Sequence, residues 1–271
     1  MTPVWINGEV VGPDRATLPY DDHGITVGDG AFETIKVIDG EPFALTRHLE
    51  RLDHSVGALR LERIDRNLLL DAVASVVPGV TGFLRLTVTA GRGPLGSPRD
   101  SVSPTVIAAI RDGSVRVDPT GVVVVPWTRN ENGALAGVKS TSYAENVVAL
   151  DVAIQQGATE AIFANTAGDL CEGTGSNIVV ALDGRLVTPP LSSGCLAGVT
   201  RALLLEALPD IAEEAIPMAS LAHASEAFLL STAREVQPIE RIDDRVLSAP
   251  GPMTRHARSV WVDRFSECSD W

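Results

Sequence analysis

The chain has 271 residues and a mass of 28.6 kDa, with 22 basic and 35 acidic side chains and a formal charge of −13. Hydrophobic residues make up 45% and charged residues 21%, a balance that excludes wholesale disorder and coiled-coil or collagen fibres. The acidity argues against nucleic acid or an anionic membrane as main partner, while leaving room for a local site that binds a small anion.

Strand and helix signals alternate irregularly along the chain. VWINGEVV (4–11) reads as a strand pair around Asn7-Gly8. ETIKVIDGEPFALT (33–46) reads as a hairpin turning at Asp39-Gly40. Thr46 is the expected cap of a helix that places Leu49, Leu52, Val56 and Leu59 on one face. A second helix is expected over 67–77, ending near Pro78-Gly79. FLRLTVTA (83–90) alternates, with Leu84, Leu86, Val88 and Ala90 on one side and Arg85, Thr87 and Thr89 on the other. TVIAAI (105–110) is its expected partner. DGSVRVDPT (112–120) reads as a connector, and VVVVPW (122–127) opens a second half. There the pattern predicts a helix over 143–156 closed by Gly157, strands over 160–165 and 177–182, a helix over 199–208, a strand over 226–232 and a helix over 252–265. The fold class is mixed α/β without a regular βαβ series, with domains over 1–117 and 122–271 and a linker at 118–121. The glycine-rich GDGAFE (28–33) runs into a strand rather than a helix, which argues against a dinucleotide site.

Cys171, Cys195 and Cys268 are odd in number, widely spaced and without a CxxC, so neither a disulfide framework nor a zinc site is expected. His23, His48, His54, His223 and His256 are scattered without metal-ligand spacing. The N-terminus lacks a signal-peptide pattern and no apolar run approaches the ~20 residues of a membrane span. A cytoplasmic, soluble protein without metal is therefore the expectation.

Four segments carry candidate chemistry. In GVKSTSY (137–143), Lys139 lies among apolar and small hydroxyl residues; burial would lower its pKa, and a neutral amine can form a Schiff base. Taken alone, a solvated loop lysine is the commoner case, but Lys36 and Lys139 are the only lysines of the chain. In LCEGTGSN (170–177), Glu172 could hold a proton on a heterocyclic nitrogen, or be a surface turn acid. GVTR (198–201) starts a helix, and the free amides of Val199 and Thr200 would suit a phosphate as well as an ordinary cap. In HLERL (48–52), Arg51 could bind a phosphate bidentately or form a helix-surface ion pair.

None of these is specific alone. Their order is: HxxRL, GVKS, EGTGSN, TPP…GVTR and LLSTAREVQPI, spread from about Trp5 to Pro238. This succession resembles the class IV aminotransferases, the fold-type IV pyridoxal-5′-phosphate (PLP) enzymes. They include branched-chain, D-amino acid and (R)-amine transaminases and 4-amino-4-deoxychorismate lyases. The resemblance implies a small α/β domain and a larger pseudo-barrel domain that binds PLP, and a homodimer whose site a neighbouring subunit completes. It implies Lys139 as the Schiff-base lysine and proton shuttle, and Glu172 as the partner of the pyridine nitrogen. Arg51, Val199, Thr200 and Thr232 would hold the cofactor phosphate. The reaction implied is ping-pong transfer of an amino group between an amino acid and a 2-keto acid.

Departures from the family bear on the substrate. Branched-chain members carry a tyrosine five residues after the lysine; here Tyr143 lies four after it and Ala144 fills the fifth place. D-amino acid transaminases commonly have tyrosine where this chain has Phe32, and an Arg-x-His pair where it has Leu95 and Ser97. Arg85 or Arg92 would then replace that carboxylate trap. The resemblance favours a D-amino acid or (R)-amine transaminase. The alternative is the lyase, to which the GDG-F segment and the 91–99 loop are similar, followed by a branched-chain L-amino acid transaminase.

Overall fold

The structure, a computed structural model, describes residues 3–99, 103–265 and 270; Cys268 lies outside them. The described residues form two compact units: 3–99, 103–114, 138–143 and 270 in the first, 115–137 and 144–265 in the second.

The first unit is built on a six-stranded antiparallel sheet. Its strands are β1 (Val4–Ile6), β2 (Glu9–Val11), β3 (Gly30–Ile38), β4 (Glu41–Pro42), β5 (Gly82–Thr89) and β6 (Thr105–Asp112), in the spatial order β2-β1-β6-β5-β3-β4. The turn residues are those the dipeptides announce: Asn7 and Gly8, and Asp39 and Gly40, all adopt positive φ, as a two-residue hairpin of right-handed twist requires. A short helix α1 (His23–Thr26) is followed by α2 (Leu45–Ala58) and α3 (Arg66–Val76). Leu49, Leu52, Val56, Leu69 and Val73 from the helices pack with Trp5, Ile35, Leu84, Leu86 and Val88 from the sheet into one buried core. Thr46 is not the cap of α2. Ala44 takes the cap position in a left-handed conformation, and the Thr46 amide and hydroxyl donate to Asp270 instead.

The second unit holds β7 (Thr120–Arg129), α4 (Ala144–Gln155), β8 (Glu160–Asn165), β9 (Leu170–Gly173), β10 (Asn177–Leu182), β11 (Arg185–Thr188), α5 (Val199–Ala207), β12 (Ala212–Glu213), β13 (Glu226–Ser231), β14 (Glu235–Ile242), β15 (Arg245–Val246) and α6 (Pro252–Phe265). Its mixed sheet runs β12-β11-β10-β13-β14-β7-β8-β9, with β15 on β14. β7 is parallel to both β8 and β14, and its buried half reads as a continuous apolar run, VVVV at 122–125. β9, β11 and β14 were not among the expected strands. β9 is only four residues long, and charged or polar residues break the alternation of β14. Glu226, buried on β13, accepts the Met253 and Thr254 amides and so caps the start of α6 from outside that helix.

Among the described residues no helix is long and apolar enough to cross a membrane.

Candidate active site

In the first unit the backbone of Lys139 is pinned from two sides. Its N–H donates to Ser55 Oγ on α2 at 3.2 Å, and its carbonyl accepts the Phe32 amide of β3 at 3.0 Å. The following residues extend the pairing: Ser140 bridges Ala31, and the Thr141 amide donates to the Gly30 carbonyl at 2.8 Å. This close approach explains the GDG motif. A Cβ at position 30 would lie 2.6 Å from the Val88 carbonyl oxygen and 3.0 Å from Thr141 Oγ1, and one at Gly28 would lie 2.7 Å from Ser142 Oγ. The glycines that fail as a dinucleotide loop thus give the lysine segment its seat.

The Lys139 Nζ stands 4.4 Å from the centroid of the Phe32 ring, and the Arg85 guanidinium carbon 3.1 Å from the same centroid. Tyr143 meets Phe32 edge-on, with centroids 5.4 Å apart. One buried aromatic ring therefore carries an amine, a guanidinium and a phenol. Arg85 is exposed on β5 and has no ion pair among the described residues; partial desolvation lowers its pKa to about 10, against the opposing pull of Tyr143 and Glu33. It stays cationic at neutral pH. Arg92 is exposed too but, by contrast, bound bidentately to Asp21.

Arg51 on α2 is gripped by a residue the motifs did not announce. Glu33 on β3 accepts Arg51 Nε at 2.8 Å and Nη2 at 2.7 Å, and it also contacts His48 Nδ1 at 2.7 Å. Burial alone would raise the Glu33 carboxyl. The Arg51 charge, its hydrogen bonds and that of His48 outweigh burial and hold it at about 2. His48 is pushed down, first by burial, with the Arg51 and Lys139 charges adding and Glu33 opposing. A carboxylate only accepts, so His48 Nδ1 carries the hydrogen and donates to Glu33. The signal for Glu33 was available. It shares the core face of β3 with Ala31, Ile35 and Val37 at strand period, and a charged side chain there needs a partner such as the one that HxxR supplies. His48, without metal-ligand spacing along the chain, is that partner's neighbour in the fold.

In the second unit Glu172 lies on β9. The Leu196 amide donates to its Oε2 at 2.9 Å, and Arg129 Nε lies 3.5 Å from its Oε1. Arg129 also packs on the Phe163 ring at 4.0 Å and binds Glu145 and Asn146 in the first turn of α4. Val199 and Thr200 open α5 and are buried. The cap residue must be Gly198, because a Cβ there would lie 2.0 Å from Asn177 Oδ1. First-turn amides have no intrahelical acceptor and, with the helix dipole, favour an anion. Thr232 sits in the turn between β13 and β14. The structure thus gathers Lys139, Phe32, Arg85, Tyr143 and Arg51 within the first unit, and it places Glu172, Val199, Thr200 and Thr232 in the second. Cys171 and Cys195 are buried free thiols whose pKa values burial pushes up.

The family described as amino-transferase class IV matches residues 30–242. A putative branched-chain-amino-acid aminotransferase of Methanocaldococcus jannaschii is 32% identical over 274 residues, covering 96% of this chain and 95% of the relative. A D-alanine aminotransferase of Staphylococcus haemolyticus is 29% identical, covering 94% and 95%. The solved structure of a hypothetical aminotransferase from Mycobacterium tuberculosis in its PLP-bound form superposes with a TM-score of 0.86 at 28% identity, covering 97% of this chain and 99% of that one. Mixed α/β units, the lysine segment and these similarities agree. The chain belongs to the class IV aminotransferases, a PLP-dependent family with the fold-type IV architecture.

Proposed function

We propose that the enzyme moves an amino group between a D-amino acid and a 2-keto acid, with Lys139 as its catalytic residue and Arg85 as the receptor for a substrate carboxylate. The residues present fit the cofactor. Lys139 brings a primary amine over an apolar ring, Arg51 and the α5 amides of Val199 and Thr200 bring phosphate donors with the Thr232 hydroxyl, and Glu172 brings an acceptor for a pyridine N–H. When bound, PLP supplies the aldehyde that takes the amino group and a ring that stabilises negative charge at the substrate Cα. Lys139 moves the proton at that carbon. Glu172 accepts from the ring nitrogen and keeps it protonated. Phe32 and Tyr143 shape the apolar wall beside the lysine.

The observation that carries the substrate reading is the Arg85 guanidinium against Phe32, the ring that also carries Lys139, without an ion-pair partner among the described residues. An exposed cation on the ring that also carries the reacting amine, without an ion-pair partner among the described residues, is suited to a carboxylate and adds little for a simple amine, which ranks D-amino acids above (R)-amines. The salt-bridged Arg92 is set behind Arg85. D-substrates are placed before branched-chain L-amino acids because Tyr143 is one residue short of the branched-chain position. The name of the M. jannaschii relative makes branched-chain L-amino acids the second reading.

The purified holoenzyme is expected to turn over D-alanine with 2-oxoglutarate. Arg85→Gln is expected to lower kcat/KM for the keto acid about 100-fold, the scale of one charged hydrogen-bonded contact, and to leave the covalent attachment of the cofactor intact. Release of 4-aminobenzoate from aminodeoxychorismate with no amino transfer would replace this reading with the lyase, and turnover of L-leucine alone would replace it with the branched-chain one. The enzyme is further proposed to act as a cytoplasmic homodimer. α4 exposes Val147, Val148 and Ile154, an apolar surface suited to a second copy. Sedimentation should return twice the mass of 28.6 kDa; the mass of a single chain would refute the dimer.

A further inference from the structure

An arginine on a helix loses rotamer freedom when it is fixed, so one that must meet a phosphate in a single orientation gains from being fixed beforehand. Arg51 has such a device. Its Nε–Nη2 edge lies against both oxygens of Glu33, which is fully buried on β3 and held in turn by His48. A guanidinium is planar. Binding one edge therefore sets the direction of the remaining donors. We infer that Glu33 is a positioning residue for the cofactor phosphate: it orients Arg51 on α2, and His48 orients Glu33.

Net charge makes the inference testable, because it predicts the opposite sign. Glu33 cancels the Arg51 charge. If only the charge of Arg51 mattered, neutralising Glu33 would leave a stronger cation and tighten phosphate binding. If orientation matters, the same change loosens it. The inference rests on the assignment of Arg51 to the cofactor phosphate made above, and the two can fail separately.

The full-length enzyme, stripped of cofactor, is titrated with PLP and with pyridoxal, which lacks the phosphate. Both attach through Lys139, so the ratio of affinities isolates the phosphate contribution. Glu33→Gln is expected to weaken PLP about tenfold, the scale of one charge-assisted hydrogen bond, and to leave pyridoxal within about twofold. Arg51→Lys keeps the charge but loses the fork, and is expected to weaken PLP to a similar degree. PLP affinity in Glu33→Gln that equals or exceeds the wild-type value would overturn the inference, as would full affinity in Arg51→Lys. If Arg51→Gln leaves the PLP-to-pyridoxal ratio unchanged, the phosphate assignment itself falls. Should Arg51→Gln fail to fold beside a buried carboxylate, the paired variant Glu33→Gln with Arg51→Gln keeps the site neutral and answers the same question.

Discussion

Replacing Lys139 by alanine is expected to lower kcat by at least about 10³-fold, because both the covalent attachment and the proton transfer at the substrate Cα are assigned to one nitrogen. The variant should bind PLP only non-covalently, so borohydride treatment should no longer fix the cofactor to the protein. Folding should be nearly unchanged. The backbone of Lys139, through Ser55 and Phe32, supplies contacts that seat the segment and that the variant keeps. Turnover within tenfold of wild type, or borohydride labelling of another residue, would refute the catalytic assignment. The same experiment separates this enzyme from a protein that merely holds phosphate through Arg51 and α5, since such a protein would be indifferent to position 139.

The largest expected effect on stability is at Arg51. Its removal leaves Glu33 as an uncompensated buried carboxylate, a loss of about 3–5 kcal/mol. The pH dependence distinguishes this from ordinary loss of packing. In the wild type Glu33 titrates at about 2 when folded against an ordinary 4.5. Its contribution, on the order of 3 kcal/mol, is therefore fully present above pH 4.5 and is lost as pH falls towards 2. In Arg51→Ala the folded carboxyl is expected above its unfolded value, because desolvation is no longer opposed by the guanidinium. The variant should then gain stability relative to wild type as the medium is acidified and Glu33 takes up a proton. Urea unfolding across a pH series measures both limbs. A stability within 1 kcal/mol of wild type at neutral pH, or two parallel pH profiles, would show that Arg51 and Glu33 are not energetically coupled. Replacing both by glutamine should recover much of the loss.

The elements whose signals are local are legible along the chain. Asn7-Gly8 and Asp39-Gly40 needed positive φ, and both turn where they were expected to. Leu49, Leu52 and Val56 needed a buried helix face, and α2 provides it. The succession of motifs from HxxRL to STAREV was enough for the family, because several short segments in fixed order leave few alternatives. Which charges meet is set by the folded chain alone. Glu33 and Arg51 are 18 residues apart, and Glu172 and Leu196 are 24 apart. Arg85 and Arg92 have the same chemistry and lie seven positions apart, yet one rests on Phe32 and the other is tied to Asp21. Thr46, a good cap by type, is drawn away by Asp270 at a separation of 224 residues. Local propensity is a property of neighbours along the chain, whereas the energy of a charge depends on whatever the fold brings within a few ångströms of it.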